Sequence, residues 1–375
     1  MILNLILYNN EYITKMADIN DKLKQLTKKE LIIECKKYKI SGYSNKTKDQ
    51  IIKLILSNNN HNSINNDNIT INNDDDIKDD NIDYKVNDNN KYSIKLICGD
   101  AYDMLDMVDN NSIQTVCIDP PYNIGKDEWD NIDDYIPWLT KIIVKLQSKM
   151  KSNGSMFIFH NDMEQISELM ISIKKNTKLV FKQMIVWNKR FNESKKKGYL
   201  DGYVVKEDLH MWNKMCEYIL FYTFDNTYKL KNARNDKKID QITISKEILS
   251  RTGGLTGWYS NIETGKNLPT KSTIIPIEKH LGLKYEDIVP KFNNMKTHHS
   301  VWNYDMAERN DIHITPKPID LLINIINHTT DIGDTLLDCF AGSGSLGIAC
   351  KKTDRNCILI EKDINYCSYI GERIK

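Results

Sequence analysis

Two short constellations in this chain combine residue types and spacing that could do chemistry. The first is Asp119-Pro120-Pro121-Tyr122, directly after the apolar run TVCID. Two consecutive prolines fix φ and stiffen the loop, so an acidic acceptor and an aromatic ring are held at a fixed separation. Such a loop suits a planar group bearing an amine: Tyr122 stacks on its face while Asp119 and the Pro120 carbonyl accept N–H bonds. A rigid turn with a solvated Asp would read the same. The second is Leu337-Asp338-Cys339-Phe340-Ala341-Gly342-Ser343-Gly344-Ser345, where an apolar strand (TLLD) runs into a glycine turn and a helix (SLGIACKK) follows. Glycines let the backbone approach a ligand closely, and a strand-to-helix turn suits a nucleoside cofactor. The next strand, NCILIE, ends in Glu361, nineteen residues after Gly342, where an acid reaches ribose hydroxyls. There is no GxGxxG fingerprint and no GKS or GKT for a nucleoside triphosphate.

The elements that must position these residues alternate. Strand candidates are SIKLIC, TVCID, SMFIFH, QMIVWN, EYILFY, TLLDCF and NCILIE, several of them near-continuous apolar runs expected of strands covered on both faces. Helical stretches fall between them, around 136–150, 163–175 and 317–328. That alternation predicts an α/β doubly wound sheet over 91–375. At the carboxyl end of a parallel strand, Asp119 stands where open α/β sheets bind ligands. Residues 190–300 are polar, Lys-rich and irregular, and read as an inserted recognition region.

Residues 1–57 read as a small helical module. Thr27 with Glu30, and Thr47 with Gln50, are capping boxes opening two helices, with Gly42 in the turn between them. The segment LTKKELIIECKKYKISGYSNKTKDQIIKLIL resembles the SAP motif, a small module that generally binds DNA. The stretch 58–90 is Asn- and Asp-rich with no apolar periodicity, and predicts a disordered linker. The eight cysteines are scattered without CxxC pairs or metal-ligand spacing, so no metal site is expected, and reduced, buried thiols in an intracellular protein are. No apolar run is long enough for a membrane span, and MILNLILYNN lacks the basic flank of a signal peptide. Met16 is an alternative start.

Taken together, GDAYDML, CIDPPYN, GSMFIFH, IVWNK, CEYILFY, KPIDLLINII, LLDCFAGSGS and ILIEKD strongly resemble the amino-methylating DNA methyltransferases that use S-adenosyl-methionine. With the catalytic loop first and the cofactor motif last, the order is that of the family's β group. It disfavours protein-glutamine and many RNA methyltransferases. The resemblance implies that Asp119, Pro120, Pro121 and Tyr122 form the catalytic loop holding a flipped base. It implies that Asp338, Phe340, Gly342 and Gly344 surround the cofactor, that Glu361 binds its ribose, that Asp100 lies near its adenine, and that Lys317 sits near its methionine end. Where the family commonly has DPF, GSGTT and HPTQKP, this chain has DCF, GSGS and HITPKP. Those departures bear on cofactor affinity.

An acidic first position in the loop, Asp119, is commoner in adenine methylators, so the expected reaction is transfer to N6 of adenine in double-stranded DNA. The alternatives are N4-cytosine methylation and a DNA-binding regulatory protein with an inactive core. A cognate restriction endonuclease and a dimer are further partners that the resemblance leaves open. Within 182–299 there are 21 basic and 13 acidic residues. There, 242–288 resembles a repressor-type helix-turn-helix, making Trp258, Tyr259, Asn261 and Lys266 candidates for major-groove contact; a helix pair with core aromatics is the other reading. The chain's net charge of +1 conceals this partition: +5 over 1–57, -6 over 58–90, -3 over 91–181, +8 over 182–299 and -3 over 300–375.

Overall fold

The structure is a computed structural model that describes residues 47–48, 51–52, 92–125, 130–202, 212, 214–294, 299–308 and 316–374. It divides into two units, Met1–Lys78 and Asp79–Lys375. In the first, Ile51 donates its backbone N–H to the Thr47 carbonyl at 3.0 Å, and Ile51 and Ile52 are buried. The Thr27–Glu30 capping box, the Gly42 turn and the whole 58–90 stretch lie outside the described residues.

In the second unit the described strands are β1 (Ile94–Cys98), β2 (Ile113–Ile118), β3 (Met150–His160), β4 (Leu179–Asn188), β5 (Cys216–Phe224), β6 (Val301–Asn303), β7 (Thr335–Asp338) and β8 (Asn356–Glu361). They form one sheet in the order β1-β8-β7-β2-β3-β5-β4-β6. Pairings are parallel from β1 through to β3 and again between β4 and β6, while β5 is antiparallel to both neighbours. The carboxyl ends of the parallel strands therefore share one edge, and the amino end of β5 meets them there. β5 is the expected strand EYILFY and lies inside the stretch 190–300, so a core strand divides the insert. One detail differs from the sequence reading. β6 has no apolar run to announce it.

Period-two alternation sends neighbouring side chains to opposite faces, and both faces are covered. Val116, Ile118, Met156 and Ile158 pack with Leu139 and Ile142 of helix α2 (Tyr135–Lys149) and Leu169 of α3 (Met163–Asn176). Cys117, Phe157 and Phe159 face the other way, onto Leu322 and Ile325 of α10 (Ile319–Thr329), Leu346 of α11 (Ser345–Lys351) and Ile370 of α12 (Ile364–Ile374). Each fully buried side chain of this size contributes roughly 1.5–3 kcal/mol. α1 (Ala101–Met104) follows β1 directly. The expected helix from 317 begins instead at Ile319, because a residue before proline is pushed out of the helical region, and Pro318 holds the N-cap with ψ 129°.

Cys98, closing β1, and Cys367 of α12 are neighbours, with Cα atoms 6.1 Å apart. α12 folds back onto the sheet edge where β1 and β8 run side by side, so the two positions meet. Cys117, Cys216, Cys339, Cys350 and Cys357 are free. Among the described residues no helix is long and apolar enough to cross a membrane.

The insert has its own core. α4 (Lys197–Gly202) precedes β5, and after it come α5 (Tyr228–Asp236), α6 (Gln241–Ser245), α7 (Trp258–Glu263), α8 (Ile274–Leu281) and α9 (Tyr285–Ile288). Leu230, Ile244, Tyr259, Ile262 and Ile277 pack together there. The connection between α6 and α7 contains a small hairpin, with Leu249 bridged to Leu255, in place of the tight turn that joins the helices of a helix-turn-helix.

Candidate active site

The edge where the parallel strands end opens into a cavity of about 730 Å³, within the usual ~300–1,000 Å³ range of small-molecule sites. Asp119 follows β2, Asp338 ends β7, Glu361 ends β8 and Asp100 follows β1, so sheet geometry alone brings four separated carboxylates to one wall. Pro120, Pro121, Tyr122, Lys317, Phe340 and Gly342 line it too. Gly344 stands just behind, at the N-cap of α11 with φ +73°, where a Cβ would meet Ile370 at 3.0 Å. Gly342, with φ +52°, donates its N–H to Glu361 Oε2 at 2.7 Å. That bond ties the glycine turn to the acid nineteen residues later.

Each carboxylate here has a distinct environment. Asp100 caps α1 through Tyr102 N–H at 2.9 Å and pairs with Lys362 at 3.2 Å. Asp338 accepts the Phe340 N–H at 2.9 Å, yet burial pushes its carboxyl up to about 8, with the charges of Asp119 and Glu361 adding to the effect. Burial also raises the Glu361 carboxyl against the N–H groups of Asp363 and Gly342. Phe340 packs on Trp138 of α2, ring centroids 5.7 Å apart.

Asp119 belongs to a tight cluster. Its Oδ1 accepts the Tyr122 hydroxyl at 2.7 Å, and its Oδ2 accepts Lys317 Nζ at 2.5 Å. Glu217, the second residue of β5, lies 3.5 Å from the same ammonium and 3.3 Å from the same hydroxyl, and also binds Lys189. Burial alone would lower the Lys317 ammonium, but Asp119 and Glu217 outweigh it and hold the group above its ordinary value. Burial, with the same two carboxylates, raises the Tyr122 hydroxyl. Tyr122 is only 6 % exposed, one face stacked on His160 at 5.0 Å. Asp119 still has acceptor capacity, since a carboxylate offers about four lone-pair sites.

Glu217, His160, Lys189 and Tyr135 were not marked by the sequence motifs. A carboxylate at the head of an otherwise apolar strand (CEYILFY) and an imidazole at the foot of another (SMFIFH) were the available signals. In the insert, Tyr259 is fully buried and its hydroxyl bonds Glu263 at 3.2 Å, so it cannot reach a base edge. Trp258 is half-buried against the same core and donates to the Ser245 carbonyl at 3.1 Å. Asn261 is half-buried on α7, and Lys266, beyond that helix, is exposed.

The DNA methylase model of the amino-methylating N6/N4 family matches residues 113–372, and the chain belongs to that family. S-adenosyl-methionine is its methyl donor. Among similar proteins are the type II methyltransferase M1.MboII of Moraxella bovis, 26% identical over 71% of this chain and 90% of its own, and the DNA adenine methyltransferase YhdJ of Escherichia coli, 26% identical over 72% and 79%. Among solved structures, the cytosine-N4-specific PvuII DNA methyltransferase aligns over 75% of this chain and 86% of its own, at 13% identity and a TM-score of 0.49. The cavity fits the donor's needs. It has glycine backbone without side chains at the β7 turn, an acid at the end of β8 and a further carboxyl, Asp338, between them.

Proposed function

We propose that the protein methylates the exocyclic N6 of adenine at specific sites in double-stranded DNA. The observation that carries this reading is the Asp119 carboxylate, lining the cavity between Tyr122 and Lys317. When bound, S-adenosyl-methionine supplies a methyl group on a sulfonium, which an amine lone pair attacks in line. Gly342, Gly344, Phe340 and Asp338 would hold the cofactor, Glu361 its ribose hydroxyls, and Asp100 the far wall beside its base.

Chemistry on an exocyclic amine requires the base to leave the helix. In this reading Asp119 and the Pro120 carbonyl accept the two amine hydrogens, which turns the nitrogen lone pair out of the ring plane. The carboxylate also faces the positive charge that grows on nitrogen, in a site already organised before substrate arrives. It stands ready to accept the proton that nitrogen sheds once the carbon–nitrogen bond has formed and the thioether has left. Lys317 keeps Asp119 and Glu217 from repelling each other across the shared site. The basic insert, with its exposed Lys266, supports backbone contact to DNA. The acidic first loop position supports adenine over cytosine.

Expression in a methylation-free host followed by nucleoside mass spectrometry tests this. N6-methyladenine should appear with the wild type and be lost with Asp119→Ala. N4-methylcytosine in its place would make the enzyme a cytosine methylator, and no modified base at all would refute the reading.

A further inference from the structure

Behind the loop of Asp119 lies a directional hydrogen-bond chain. His160 closes β3 with no exposed surface, and its Nδ1 accepts the Asp162 backbone N–H at 3.1 Å. That contact fixes the proton on Nε2, which faces Tyr135 Oη at 3.0 Å. The Tyr135 hydroxyl, having accepted from His160, donates to the Pro121 carbonyl at 2.7 Å. The same imidazole carries the Tyr122 ring stacked on its face. One side chain therefore reaches two consecutive loop residues, Pro121 through a backbone carbonyl and Tyr122 through its ring.

We infer that His160 and Tyr135 are positioning residues for methyl transfer, setting the pose of the Asp119–Tyr122 loop through the Tyr135 bond to the Pro121 carbonyl. Every link is polarised one way: amide to imidazole, imidazole to phenol, phenol to carbonyl. Only a neutral imidazole with its proton on Nε2 satisfies all three, because a second proton on Nδ1 would oppose the Asp162 N–H. Burial favours that neutral state. Pro120 and Pro121 have no N–H to donate, so a carbonyl is the backbone polar group through which a neighbour can hold either residue, as Tyr135 holds Pro121. α2, which supplies Tyr135, is anchored in the core by Leu139, Ile142 and Leu146. The chain thus ties the loop to a rigid helix and a central strand.

This inference rests on the proposed reaction, and the test separates the two. Tyr135→Phe removes one hydroxyl and keeps the ring packing. It should lower kcat for DNA methylation by roughly 10- to 100-fold, the scale of a misplaced reacting group. The calorimetric Kd for S-adenosyl-methionine should stay within about twofold of wild type, because Tyr135 does not line the cavity. His160→Gln, which keeps an N–H donor, should retain more activity than His160→Leu of similar size. Unchanged kcat in Tyr135→Phe overturns the inference while leaving the reaction intact. Loss of cofactor affinity and melting temperature in parallel with kcat also overturns it, since the hydroxyl would then be structural. A wild type that transfers no methyl to DNA overturns the proposed function and this inference with it.

Discussion

Asp338 is an acid whose state a cofactor can change. Burial holds its carboxyl near 8 in the free protein, so at pH 7 the proton is mostly on. A cation bound against it would favour the ionised form and release that proton. Affinity for S-adenosyl-methionine is therefore expected to rise between about pH 6 and pH 9, and to lose that slope in Asp338→Asn; calorimetry in buffers of different ionisation heat would count the proton. His160 works in the opposite sense. Burial lowers its imidazole from 6.5 to about 4 despite the facing carboxylates of Asp162, Asp119, Asp130 and Glu217. As pH falls from about 6.5 towards 4, the unfolded chain takes up a proton that the native state refuses. Stability is lost across that window, and urea midpoints of His160→Gln should depend on pH less steeply there. Lys317→Met would leave Asp119 and Glu217 facing each other without their shared cation. A loss of about 3 kcal/mol is the expected scale for a broken buried pair, read by chemical denaturation.

At the scale of elements, the turn between β7 and α11 is the most constrained. Gly344→Ala would place a Cβ in left-handed backbone and 3.0 Å from Ile370, for an expected loss of at least ~1–2 kcal/mol and a lower melting temperature. That turn was legible because the glycines, the flanking apolar strand and Glu361 stand in one short stretch of sequence. The parallel strands were legible for a similar reason: two covered faces require unbroken apolar runs, as in β2, where every residue is buried. Glu217 was not legible as part of the site. Its role follows from the antiparallel sense of β5, which puts the head of that strand beside the foot of β3, with Tyr218 opposite His160. Strand direction is a property of pairing, and no local pattern records it. β6 escaped because its three residues are half-buried or exposed and owe their conformation to register with β4, Trp302 opposite Trp187. In the insert, aromatic residues at helical spacing look alike whether they face a core or a groove. Tyr259 proved to be core because α8 and α5 close over it.

For the whole molecule, the near-neutral net charge divides into regions of opposite sign, and the +8 insert is the part suited to a polyanion. The KM for DNA is expected to climb at least ~10-fold between about 50 and 200 mM salt, while cofactor affinity barely moves. The sheet order has a separate consequence, for how the chain acquires its shape. β2 is flanked by β3, made soon after it, and by β7, made far later, with Thr115 opposite Leu336. A ribosome therefore releases the strand that bears Asp119 long before its other neighbour exists. Until β7 and β8 emerge, β1 has no partner and β2 shows an open edge to the cell. Maturation must wait for the last strands of the sheet, and a chain stalled before them exposes its reactive loop on an unfinished, aggregation-prone half.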